Sequence, residues 1–147
     1  MDDCPFCRIV KGTGAASAFY EDDLVLGILD ISPVNPGHAM VIPRRHAASL
    51  AELDEDAGRR IWTVAQRAAA AVRQSGLRCE GVNLFLADGA AAYQDVFHVH
   101  LHVIPRYSGD GFHLRVDYDP RPSRVELDRV AARIREAYER LWAFPTG

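Results

Sequence analysis

A chain of 147 residues predicts one domain, at roughly 150 residues per domain, and is long enough to bury about two-thirds of its extended surface without disulfides. Its 48% hydrophobic and 25% charged residues are the composition of a soluble globular fold and exclude a disordered tail, a collagen-like chain and a disulfide scaffold. A net charge of −3 gives no ground for nucleic acid as a partner, because polynucleotide binders present basic surfaces; a small molecule is the better expectation.

No apolar run approaches the ~18 residues of a membrane span, and the acidic start Met1-Asp2-Asp3 lacks the basic n-region of a secretory signal. Cys4, Cys7 and Cys79, an odd number, fit a reducing compartment, so a cytoplasmic protein with no membrane partner is expected. Cys4 and Cys7 form a C-x-x-C pair with three readings: a redox motif, which would follow a strand and open a helix; half of a metal site, if histidines arrive from elsewhere; or two thiols that simply pack.

In chain order, Phe19 to Leu29 reads as a hairpin, apolar on either side of a turn at Asp22-Asp23. Ser32-Pro33-Val34-Asn35-Pro36-Gly37 is dense in turn formers and must be a loop; Ala39 to Ile42 then forms a short strand that stops at Pro43. Ile61, Val64, Ala65, Ala68 and Val72 recur at three- and four-residue intervals and predict an amphipathic helix, with Asp54 as N-cap and Gly76 as stop. Gly81 to Ala87 and Val96 to Ile104 read as strands, joined by Asp88-Gly89 and a loop of small residues. A second helix spans about Ser123 to Leu141, where Ser123 and Glu126 have the spacing of a capping box and Val130, Ile134, Ala137 and Leu141 form an apolar stripe. Several strands with only two helices among them predict an antiparallel α+β domain rather than a βαβ wind.

The informative stretch is Phe97-His98-Val99-His100-Leu101-His102-Val103-Ile104-Pro105. Histidine alternates with apolar residues at period two, so in a strand the three imidazoles line one side while Phe97, Val99, Leu101 and Val103 enter the core; a helix would turn His100 away from the other two. Several imidazoles on one face are costly to bury without partners. They can serve as metal ligands through neutral nitrogens, or one can act as a nucleophile whose tautomer and charge its neighbours control.

The run His98-Val99-His100-Leu101-His102-Val103-Ile104 resembles the signature of the histidine triad (HIT) superfamily, in which three histidines alternate with apolar residues and two further apolar residues follow. Phe6, Ile9, Tyr20-Glu21-Asp22-Asp23, Asp30-Ile31-Ser32-Pro33, Gly37-His38, Val41-Ile42-Pro43, His46 and Gln94 fall in the order and spacing of its Hint-like branch, and the likeness covers about residues 4 to 106. It implies the HIT fold, an antiparallel sheet of about five strands with two main helices. It also implies a purine nucleotide ligand, adenosine-based, and a nucleotide hydrolase or transferase that cleaves the α-phosphate bond of nucleoside phosphoramidates or dinucleoside polyphosphates.

On that resemblance the middle histidine, His100, is the nucleophile that carries a nucleotidyl group, and His102 hydrogen-bonds a phosphoryl oxygen. His38 supports the histidine network, and Gln94 contacts the phosphate or the bridging atom, an amide being able to donate without ionising. The backbone at Val96 adds a donor; Asp30 accepts from both ribose hydroxyls; Phe6, Ile9, Ile28 and Ile31 wall the base. A bacterial subset of the family holds structural zinc, which here would use Cys4, Cys7, His46 and His98, a closed tetrahedral set. A homodimer is the implied assembly. Three residues depart from the family pattern: Tyr93 stands where glycine is usual, Ala87 where an amide is common, and Asp95 where the Hint-like branch often has serine. Two other functions are compatible with the motif, a non-catalytic mononucleotide-binding regulatory module and a zinc-dependent hydrolase with its metal on the triad.

Overall fold

The computed structural model describes residues 4–116 and 121–142. Its backbone divides into two compact units, one up to Phe112 and one from His113. The first holds α1 (Pro5–Val10), β1 (Ala18–Glu21), β2 (Val25–Leu29), β3 (Ala39–Pro43), α2 (Glu55–Gln74), β4 (Gly81–Phe85), a 3-10 turn (Ala90–Ala92) and β5 (Leu101–Arg106); the second holds α3 (Arg124–Leu141). The strands form one sheet in the order β1-β2-β3-β5-β4 with every neighbouring pair antiparallel, the α+β architecture expected.

Alternation of side chains divides the first unit into two cores. Val25, Ala39, Val41, Leu101 and Val103 face Ile61, Val64, Ala65 and Ala68 of α2. On the other face Leu26, Ile28, Met40 and Ile42 pack with Phe6 of α1. Val25, Val41 and Val103 are wholly buried, each contributing about 1.5–3 kcal/mol relative to exposure. The α2 helix opens as its sequence demands: the Asp54 carboxylate accepts from the backbone N–H of Asp56 at 3.0 Å and of Ala57 at 3.2 Å, a cap worth about 1 kcal/mol. It closes at Ser75, and Gly76 follows with φ +82°.

In α3 the capping box is formed in both directions: Ser123 N–H donates to the Glu126 carboxylate at 2.7 Å, and Glu126 N–H to Ser123 Oγ at 3.3 Å. Val130, Ile134 and Leu141 are exposed.

One element was not foreseen and one expectation needs correcting. The six-residue helix α1 was not legible, being too short to show a period; Cys4 is its N-cap and Pro5 its first residue, a favoured place for proline. The strand expected from Val96 begins only at Leu101. The β3–β5 register, Ala39 opposite Val103 and Val41 opposite Leu101, would next bring Val99 against Pro43. Proline has no N–H to give, and the Pro43 carbonyl accepts instead from the His98 ring Nε2 at 2.9 Å. The ladder therefore stops, and Val99 N–H turns to the Ala47 carbonyl at 2.8 Å. Val99 still enters the core, but Phe97 is 53% exposed, because the alternation that would bury it holds only within a strand.

Candidate functional site

The three triad histidines do not share one face. His98 turns toward the N-terminal segment, and His100 and His102 toward a cavity of about 450 Å³. His98 and His100 have tautomers set by backbone carbonyls, and His102 by the His38 ring. The Nε2–H of His98 donates to the Pro43 carbonyl, so its Nδ1 lone pair faces Cys4 Sγ at 3.5 Å, Cys7 Sγ at 3.6 Å and His46 Nδ1 at 3.3 Å. Cys7 Sγ lies 3.3 Å from His46 Nδ1. A tetrahedral zinc, with Zn–S about 2.3 Å and Zn–N about 2.0–2.1 Å, sets two nitrogens, or a nitrogen and a sulfur, about 3.3–3.6 Å apart, which is the spacing of these four pairs; all four donor atoms lie within 4.8 Å of one another. Cys4 at the N-cap and Cys7 in the first turn of α1 place both thiols on one side of the helix. The donor set fits the ion expected. Burial, with the Cys4 thiol beside it, pushes the Cys7 thiol up; a cation among the four donors would draw both into the thiolate form.

His100 is buried, with its Nδ1 2.7 Å from the His98 carbonyl. A carbonyl only accepts, so Nδ1 carries a proton, and in the neutral ring Nε2 is the nitrogen with the lone pair. Phe6 packs edge-on against both His98 and His100, with centroids 5.7 and 5.2 Å away, which ties the wall of the cavity to the cysteine–histidine cluster.

The third ring is set through His38. Val34 N–H donates to His38 Nδ1 at 3.1 Å, so the Nε2–H of His38 donates to His102 Nδ1 at 2.9 Å, and the proton of His102 lies on Nε2, the end available to a ligand. The Asp30 carboxylate stands 3.5 Å from His38 Nε2 and 3.7 Å from His102 Nδ1. Asp30, His38 and His102 also bring three donors within 4.8 Å, but the 2.9 Å between the two ring nitrogens is a hydrogen bond, shorter than the spacing of two nitrogens on one tetrahedral zinc. Burial, then the neighbouring His100 and His38, push His102 down to about 4 against the pull of Asp30 and Asp95. Burial lowers His38 as well, opposed by Asp30. Both rings are neutral at pH 7. The loop that presents His38 turns at Gly37, whose φ is +89° and where a Cβ would stand 2.8 Å from Leu77.

Of the residues the sequence nominated, Phe6, Ile9, Ile28, Asp30, Ile31, Val96, His100 and His102 line the cavity, and Cys4, Cys7, His46 and His98 gather separately. Gln94 does not line the cavity. It is buried with its amide committed to backbone: Oε1 accepts from Gly89 N–H at 2.7 Å, and Nε2 donates to Ala48 and Val96 carbonyls at 2.8 and 3.2 Å. The Val96 N–H is likewise taken, by Asp95 Oδ1 at 2.9 Å. One Asp30 oxygen accepts from Ser32 N–H at 2.8 Å, leaving Oδ2 toward the histidines.

Sequence reasoning missed Met40, the small wall Gly14-Ala15-Ala16 and Asp95 as cavity residues. Met40 lies opposite both Ile28 and His102 in the sheet, so the register could have found it.

The HIT domain family model matches residues 12–109. An uncharacterized HIT-like protein of Borreliella burgdorferi is 42% identical over 113 residues, 76% of this chain and 81% of that protein. The crystal structure of a Zn-bound histidine triad family protein from Mycobacterium smegmatis is similar with TM-score 0.73 and 42% identity, over 92% of this chain and 98% of that one. The adenylylsulfatase HINT3 of Arabidopsis thaliana is 34% identical over 135 residues, 91% of this chain and 66% of that protein.

Proposed function

This chain belongs to the HIT domain family, a family with nucleotide-binding members, and from that premise we propose that it is a nucleotide hydrolase or transferase. It opens the bond between the α-phosphate and the leaving group of a nucleoside phosphoramidate or dinucleoside polyphosphate, with His100 as nucleophile. The observation that carries this reading is the 2.7 Å hydrogen bond from His100 Nδ1–H to the His98 carbonyl, which makes Nε2 the lone-pair nitrogen of the neutral ring, on a side chain that lines the cavity.

In this reading the base lies between Phe6, Ile9, Ile28 and Ile31, and the ribose hydroxyls donate to Asp30. The His100 Nε2 lone pair forms a bond to the α-phosphorus as the bond to the leaving group breaks, splitting one hard displacement into two easier ones. The His102 Nε2–H, held outward by His38, donates to a non-bridging oxygen as charge builds. Water then attacks phosphorus, the P–N bond to His100 breaks, and the nucleoside monophosphate leaves. Gln94 acts by holding the Gly89–Val96 loop and not by touching phosphate, and the Val96 amide orients Asp95.

Cys4, Cys7, His46 and His98 would hold zinc, which when bound supplies a cross-link between the N-terminal segment and the segment carrying His100. Adenosine as the base is supported by the family resemblance and by the adenylyl chemistry in the name of the Arabidopsis relative. A homodimer in the cytoplasm, with neither nucleic acid nor membrane as partner, completes the reading; among the described residues no helix is long and apolar enough to cross a membrane.

The test is AMP release from adenosine 5′-phosphoramidate, followed by chromatography beside AMP binding by calorimetry. His100→Ala is expected to lose at least about a hundredfold in rate while still binding AMP. A regulatory binding module would bind AMP in both proteins and turn over nothing in either. Turnover by His100→Ala at the wild-type rate would remove His100 from the mechanism.

A further inference from the structure

Asp95 stands at the mouth of the cavity, its side chain 86% exposed and its Oδ1 4.0 Å from the buried His100 Nε2. The Val96 N–H bond to that same oxygen, at 2.9 Å, fixes the carboxylate in place. The other charged groups on the cavity wall are Arg8, carried by α1 beside Ile9, and Asp30, which sits with the paired histidines. His38 and His102 add no positive charge near neutrality, since burial lowers both.

In-line attack by Nε2 places the α-phosphorus about 3–3.5 Å from that nitrogen and sends the leaving group away from it, toward the open mouth. The atoms of the leaving group next to phosphorus then lie within about a Debye length, 8–10 Å, of the Asp95 carboxylate. We propose that Asp95 is a specificity-determining residue that favours nucleoside phosphoramidates whose leaving amine bears a second, cationic group and disfavours anionic polyphosphate leaving groups. This rests on the hydrolase reading above and narrows its substrate class. The leaving nitrogen takes its proton from solvent at the open mouth, because an ionised carboxylate has none to give; the water that later attacks phosphorus returns one to solvent. The net reaction is phosphoramidate plus water to amine plus nucleoside monophosphate.

The experiment compares two adenosine 5′-phosphoramidates on the intact chain, one N-linked to 2-aminoethyl and the other to propyl, in wild type and Asp95→Asn at low and high salt. Wild type is expected to prefer the aminoethyl substrate in kcat/KM by about two- to fivefold at low salt, and the preference should shrink as salt rises. In Asp95→Asn the ratio should approach one at both salt levels. A ratio unchanged by the substitution, or a wild-type preference for the neutral tail, overturns the proposal; loss of both activities by one factor with the ratio intact would mean that Asp95 only supports the loop, and overturns it too. If neither compound is turned over, the catalytic reading fails by itself. The same two tails on a non-hydrolysable adenosine 5′-phosphonate, measured by calorimetry in both proteins, then decide on Asp95: a preference in wild type that Asp95→Asn erases supports it, and equal affinities refute it.

Discussion

A single backbone N–H sets the protonation pattern at the ligand end of the site. Because Val34 donates to His38 Nδ1, His38 can only donate to His102, and His102 can only present Nε2–H outward. Removing the ring breaks this relay without touching ligand. His38→Ala is therefore expected to lower kcat about 10–100-fold, the usual effect of losing an orienting partner, with AMP affinity measured by calorimetry nearly unchanged; an equal loss in affinity would make His38 a direct ligand contact. Tyr93 shows a different constraint. It has φ 65°, the left-handed region, which costs an L side chain about 1–2 kcal/mol, and its own side chain is exposed. That position is where family members usually have glycine, and the geometry supplies the reason. Tyr93→Gly should raise stability by about 1 kcal/mol in urea unfolding; a decrease would mean that the ring makes a contact worth more than the strain. At this scale the triad, Asp30 and the four candidate metal ligands were legible because the spacing of chemically unusual residues survives translation into sequence. The partners of the Gln94 amide, Gly89, Ala48 and Val96, were not legible, because they come from the folded loop and not from spacing.

Helices and strands hold these residues at two places where pattern reading fails. The α1 helix is a single six-residue element, below the length at which a helix is stable by itself, so it depends on Phe6 packing and on whatever joins Cys4 and Cys7 to His46 and His98. Metal removal by a chelator is expected to cut thermal stability and to speed amide exchange in residues 5–10 while α2 amides keep their protection. Exchange in α1 that is indifferent to metal content would show that the four residues only pack. The β5 strand begins five residues later than the apolar alternation suggests because proline stands opposite, and that early end of the ladder is what lets His98 face the thiols while His100 and His102 face the cavity. The periodicity of α2 and the capping residues of α2 and α3 were readable, since both are local. The stop of β5 depends on a partner strand distant in sequence, and no local pattern records it.

At the level of the whole molecule, buried neutral imidazoles make stability depend on pH. His102 is held down to about 4 by burial and by His100 and His38, against Asp30 and Asp95, whereas in the unfolded chain it titrates near its ordinary 6.5. Its folded value is depressed, so the unfolded state binds the extra proton first; stability is full above about pH 6.5 and falls as pH drops toward 4. Between pH 7 and 5 the loss is about 2 kcal/mol. Urea midpoints at the two pH values check this, and His102→Asn should lose correspondingly less over the same interval. An identical pH slope in the variant would assign the effect elsewhere. The α+β class and strand content followed from composition and punctuation, but the strand order β1-β2-β3-β5-β4, which puts β3 and β5 side by side and so joins His38 to His102, rests on long-range pairing.

The central claim is that His100 becomes covalently joined to a nucleotide during turnover. Mass spectrometry of protein quenched in acid-free denaturant during incubation with adenosine 5′-phosphoramidate tests it most directly. The account predicts an adenylyl adduct on the peptide containing His100, absent in His100→Ala; turnover at the full rate with no adduct at any quench time, or an adduct on another residue, would contradict it.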